Sequence, residues 1–121
     1  MQKNIFLTAC VLGFLAVFLG AFGAHVLNLE QSANNIYKTA SSYHFYSVFL
    51  IFAIGLLEKY LKFKYYKIAF YSSFFGTIIF SGSLYLLSIT NLRWLGAITP
   101  IGGVLLVFSF VALYFGIKLK S

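Results

Sequence analysis

Apolar residues run without a single charge from Ile5 to Ala24, give way to a polar stretch, resume at Tyr43, and recur in two more long blocks before the chain closes on lysines. A 20-residue apolar run is about the length a helix needs to cross a hydrocarbon core of roughly 30 Å, at about 1.5 Å per residue. The first crossing is therefore placed at 5–25. A secretory signal is the competing reading, because Lys3 precedes the run and Ala21-Phe22-Gly23 is small enough for cleavage. The run exceeds the usual apolar segment of about 7–15 residues in such signals.

The stretch from Asn28 to Ser42 is the most polar of the chain, with Glu30, Gln31, Asn34, Asn35 and Lys38. It reads as a loop with room for one helical turn. The next apolar run, Tyr43 to Leu57, is short for a crossing, so the second helix is extended to 39–61, with Lys59 and Lys62 reaching to the interface. The third crossing is expected at 68–89 and the fourth at 95–117. The fold class is all-α: one integral membrane bundle of four transmembrane helices over residues 1–121.

Small residues mark where helices should meet, because lipid tails are as apolar as leucine and association in a bilayer relies on close packing and hydrogen bonds. Ala9, Gly13, Ala16, Gly20 and Gly23 make one seam on the first helix. Gly102, Ser109 and Gly116 recur every seven residues on the fourth, with Ala112 beside them. The third helix carries Ser72, Ser73, Gly76, Thr77, Ser81, Gly82 and Ser83. These seams imply tight packing within the chain, a homo-oligomer or membrane-protein partner, or a pathway lining.

Composition agrees with this pattern: 61% of residues are hydrophobic and 9% charged, against roughly 25% charged in soluble domains, and mean hydropathy is +0.92. The net charge of +7 is a topology signal rather than a nucleic-acid footprint. Short cytoplasmic loops collect Lys and Arg. Lys3, Lys59, Lys62, Lys64, Lys67, Lys118 and Lys120 fall on one side and Lys38 and Arg93 on the other, so both termini are expected in the cytoplasm. Tyrosines and Trp94 border both interfaces. The preference for Lys over Arg, with Ile, Tyr and Phe abundant, points to an AT-rich bacterial genome and a cell-membrane location.

No charged residue lies in the middle of an expected span, which argues against a proton-coupled pump. The two carboxylates, Glu30 and Glu58, fall on opposite sides, so no acid/base dyad forms. Cys10 alone excludes an internal disulfide and reads as a packed or lipid-facing thiol. His25 ends the first helix and His44 opens the second; placed near the outer interface, they could approach each other and ligate a metal or haem iron. Two histidines without a carboxylate or thiolate make a weak metal site, so no metal or other cofactor is implied. Thr99-Pro100 is either a capped helix start or an internal kink freeing the Gly96 carbonyl. His25, Tyr43, His44, Ser81, Ser83, Thr99 and Pro100 share the outer half and form the candidate functional cluster.

Three blocks carry a family resemblance: Leu19-Gly20-Ala21-Phe22-Gly23-Ala24-His25, Phe80-Ser81-Gly82-Ser83-Leu84-Tyr85 and Thr99-Pro100-Ile101-Gly102-Gly103. With their spacing, the chain resembles the small bacterial membrane proteins grouped as domain of unknown function 423, which have a related eukaryotic transmembrane branch. One block departs. Where the family usually reads Tyr-Gln, two residues, then His, this chain has Tyr43-His44-Phe45-Tyr46-Ser47, so His44 stands in the glutamine position and Ser47 in that of the histidine. The resemblance implies a four-helix membrane fold and brings no activity, substrate or cofactor. The first functional expectation is a non-enzymatic protein that stabilises the membrane or assists a partner through helix contacts. The others are a small channel or carrier for a neutral or apolar solute, and haem or metal binding at His25 and His44.

Overall fold

The computed structural model describes residues 1–25 and 28–120, and their secondary structure is entirely helical. Four long helices follow one another: α1 (Gln2–His25), α2 (Gln31–Leu56), α3 (Phe63–Thr90) and α4 (Leu95–Lys118), with a 3₁₀ turn at Glu58–Tyr60. All four are long and apolar enough to cross a membrane. Their lengths of 24 to 28 residues correspond to about 36–42 Å of helix, so each overreaches a hydrocarbon core of roughly 30 Å.

The second helix differs most from its expected bounds. It begins at Gln31 instead of near 39, so most of the expected loop is helix, and it ends at Leu56 instead of 61. The buried positions explain this: Ala33, Tyr37, Ala40, His44, Ser47, Ile51 and Ile54 form one stripe at alternating spacings of four and three. Its first turns place Gln31, Ser32, Asn35 and Lys38 on the exposed side while the inner stripe continues unbroken. The third helix likewise begins at Phe63, which puts Lys64 and Lys67 on its first turns. Their ammonium groups sit over the rings of Tyr65 and Phe63.

Sequential neighbours pack antiparallel, α1 on α2, α2 on α3 and α3 on α4. Gln2 Nε2 donates to the Gly55 carbonyl (2.8 Å), and the Lys62 amide to that of Gly116 (3.4 Å). Both chain ends and the 57–62 link therefore lie at one end of the bundle, here termed the terminal end; the links near 30 and 91–94 lie at the far end. Asn91 adopts the left-handed conformation (φ 60°), and its amide caps α3 on the Leu87 carbonyl. Asparagine tolerates that conformation, which lets a four-residue link reverse the chain.

The α3–α4 contact repeats every seven residues. Lys62 just before α3, and Ala69 and Gly76 within it, meet Gly116, Ser109 and Gly102 of α4 in successive layers, and Ser83 meets Thr99 beyond them. A seven-residue repeat between helices gives the left-handed crossing of coiled coils. The α1 seam faces α2: Ala9 and Ala16 are fully buried, Gly13 faces Val48, Gly20 faces Ser41 and Phe45, and Gly23 lies against the Tyr37 ring.

Hydroxyls tie each helix to the one before it. Tyr37 donates to the Leu19 carbonyl, Ser81 to Ala40 (2.9 Å) and Ser109 to Ala69 (2.9 Å). Such bonds between membrane helices contribute about 0.6 kcal/mol each on average. Small residues bring the backbones close enough for a serine to span the gap.

Candidate functional site

The extension of α2 moves His44 deep into the bundle. It is the fourteenth of 26 residues in α2, level with Leu12, the eleventh of 24 in α1, and Thr77, the fifteenth of 28 in α3. The expectation that His44 lies near the outer interface is corrected on this point: it sits at mid-depth and is 4% exposed. His25, by contrast, is an exposed residue at the end of α1, thirteen residues or about 20 Å of helix beyond Leu12. The two imidazoles do not approach each other, and shared ligation of a haem iron or metal by His25 and His44 does not fit this geometry. Among the described residues no three His, Cys, Asp or Glu side chains gather.

His44 is instead paired within the bundle. Its Nδ1 lies 3.0 Å from the Tyr85 hydroxyl of α3, and the Tyr85 ring meets the Tyr37 ring edge-on with centroids 5.0 Å apart. Tyr37 is held in turn by the Leu19 carbonyl and Gly23. The other ring nitrogen, Nε2, is buried and has no hydrogen-bond partner. The Leu12 carbonyl of α1 stands beside the imidazole without completing a hydrogen bond of good geometry. Histidine within a membrane-spanning segment is costly and marks a functional site more often than ordinary core.

His44 also lines a cleft of about 180 Å³, walled by Leu12, Leu15 and Leu19 of α1 and by Thr77, Ile78, Ser81, Gly82 and Tyr85 of α3. Leu15 and Ile78 are exposed (38% and 49%), whereas His44, Thr77 and Ser81 are buried. The cleft thus opens sideways between α1 and α3. Its hydroxyls are already committed: Thr77 donates to the Ser73 carbonyl (2.6 Å) and Ser81 to Ala40.

The rest of the expected cluster is dispersed. Ser83 and Thr99 share a 2.6 Å hydrogen bond inside the α3–α4 contact, and Thr99 also reaches the Leu95 carbonyl (3.2 Å). Pro100 lies inside α4, so its position is the internal one and the capped start does not apply. Tyr43 and Pro100 are exposed and line a separate apolar groove of about 660 Å³ with Phe80, Val104 and Val107. Tyr85 and Tyr37 are the partners that sequence reading missed, having placed them as interfacial tyrosines. Tyr37 falls on the same four-three stripe as His44, a signal that was available. Nothing comparable marked Tyr85, whose role depends on the α2–α3 register.

These features define a multi-pass helical membrane protein whose mid-depth buried imidazole, His44, is paired with a partly buried phenol. The chain belongs to the family described as proteins of unknown function (DUF423), whose model matches residues 19–103. It is 36% identical over 117 residues to a UPF0382 membrane protein of Staphylococcus saprophyticus, covering 95% of this chain and 97% of the relative. It is 36% identical to the UPF0382 membrane protein YwdK of Bacillus subtilis (91% and 92% covered). It is 34% identical to the UPF0382 inner membrane protein YgdD of Escherichia coli (85% and 80%). No solved structure matches the chain. His44 and Ser47 both lie on the buried stripe of α2.

Proposed function

We propose that this chain is a non-enzymatic protein of the bacterial cell membrane, with both termini in the cytoplasm, that acts through helix contacts to stabilise the membrane or assist a partner complex. The observation that carries the reading is the open order of the bundle. Each of α1 and α4 packs mainly on a single sequence neighbour, and their outer faces (Phe14, Val17 and Phe18; Val107, Phe110 and Tyr114) are exposed and apolar. Those faces meet lipid or another membrane helix. The interior hydroxyls described above serve inter-helix and local backbone bonds, and Glu30 and Glu58 stand at opposite ends.

Photocrosslinking from Phe14 and from Val107 in native membranes tests the contact reading. A discrete protein adduct from one of the two faces is the expected result; adducts with lipid alone from both would overturn it. Orientation rests on the lysines at the terminal end. In a Cys10→Ala background, Ser32→Cys should react with an impermeant maleimide added to intact cells and Lys120→Cys should not, and the reverse pattern would invert the topology.

A further inference from the structure

We propose that the furrow between α1 and α3 at the terminal end is a binding site for one anionic phospholipid, with the phosphate held by Lys3 and Lys67 and one acyl chain laid along the furrow. This goes beyond helix contacts. It depends neither on them nor on which side of the membrane the terminal end faces.

Charge selects the head group. All seven lysines of the terminal end are exposed, and Glu58 is the one carboxylate side chain placed there with them. Each lysine within a Debye length attracts a head group of net negative charge, whereas a zwitterionic head group brings its own ammonium into the same field. Lys67 is already aimed at the head-group layer. Its ammonium lies 5.6 Å from the ring centroid of Phe63, one turn nearer the terminal end, so the stem runs along the helix and the charge leaves the hydrocarbon.

The helix register brings two of these lysines to one place. Helices α1 and α3 run in the same direction, and Leu12 and Thr77 line one cleft. Lys3 lies nine residues before Leu12 and Lys67 ten before Thr77, so both stand roughly 15 Å of helix above that shared level. Beneath them is a groove of about 380 Å³, lined by Asn4, Leu7, Thr8, Val11 and Leu12 of α1 and by Phe74 of α3. Lys67 is seven residues before Phe74 and Lys3 four before Leu7, so each wall carries a lysine on the side that lines the groove. The Thr8 hydroxyl donates to the Asn4 carbonyl (2.8 Å), which leaves the bed of the groove apolar.

Length fits one chain. Leu12 also lines the cleft that opens at Leu15 and Ile78, so the furrow continues from Asn4 to Leu15. Eleven residues of helix rise about 17 Å, close to half of a hydrocarbon core of roughly 30 Å, the depth of one leaflet. The larger groove at Tyr43 and Pro100 has no charged residue in its lining to hold a phosphate.

The probe is 1-palmitoyl-2-oleoyl-phosphatidylglycerol, titrated into the full-length protein in detergent and read by native mass spectrometry as the affinity of the first bound lipid. Phosphatidylcholine with the same chains should bind at least about five-fold more weakly. Lys3→Gln and Lys67→Gln should each weaken phosphatidylglycerol binding about five-fold, the effect of one lysine near an anionic surface. Lys120→Gln, at the same end but on α4, should leave it nearly unchanged. Val11→Trp narrows the groove from a position that is 60% exposed and should also weaken binding. All four substitutions change exposed side chains, so the fold is retained. Equal affinity for the two lipids, equal losses from Lys120→Gln and Lys67→Gln, full binding by Val11→Trp, or displacement by an equal concentration of free glycerol phosphate would overturn the assignment.

Discussion

Gly102→Ala is expected to destabilise the bundle by about 1–3 kcal/mol, the range for inserting a methyl group into a filled contact. Two effects compete at this position. Alanine is the better helix former by about 1 kcal/mol. Against that, a Cβ on Gly102 would press on the Phe80 amide nitrogen, lie 2.8 Å from the Phe80 Cα and 2.9 Å from the Gly76 carbonyl oxygen. All three are backbone atoms, so no rotamer change relieves them and α4 must move away from α3. That displacement would also stretch the Ser109 bond to Ala69 and the Ser83–Thr99 bond, which lie in the layers on either side. Gly82→Ala is the control, since nothing lies within 4 Å of its added methyl group, and it should be neutral or slightly stabilising. Thermal unfolding in detergent compares the two, and equal midpoints would contradict the close-contact account.

The second large effect concerns the buried pair. Tyr85→Phe leaves His44 with neither ring nitrogen paired and should cost about 1–3 kcal/mol, the penalty of an unsatisfied buried polar group. His44→Leu should cost less, because it removes the orphaned Nε2 along with the pair, while Tyr85 is only partly buried. Combined, the two substitutions should fall short of their sum by about 1 kcal/mol or more, as expected for residues in direct contact. The double-mutant cycle measured by denaturation in detergent gives that coupling directly; additivity within about 0.5 kcal/mol would mean the bond contributes nothing.

The four crossings and the contact seams were legible because membrane solvent simplifies the code. Apolar length gives the span, and small residues at three, four or seven positions give the face. The fourth helix was placed within a residue of both its ends, since Trp94 and Lys118 mark where the apolar run stops. The start of α2 was misplaced because its first turns are polar on the exposed side, and average polarity hides an inner stripe carried by Ala33, Tyr37 and Ala40. That error propagated to the site: eight residues of missed helix shift His44 by about 12 Å, from the interface to the middle. The Tyr85 pairing was out of reach, because it depends on which layer of α3 faces which layer of α2. The bond from the Ser81 hydroxyl to the Ala40 carbonyl sets that register, and it leaves no trace in either helix alone.

The hydroxyl ties run in one direction. Tyr37 in α2 reaches α1, Ser81 in α3 reaches α2, and Ser109 in α4 reaches α3, so the acceptor always belongs to the helix made earlier. Domains form N-terminus first during synthesis, and a nascent chain leaving the ribosome would find each acceptor already in the bilayer as the matching donor arrived. No helix has to wait for a later one to satisfy its inward-facing hydroxyl. In these three ties the finished bundle follows the order of its own translation.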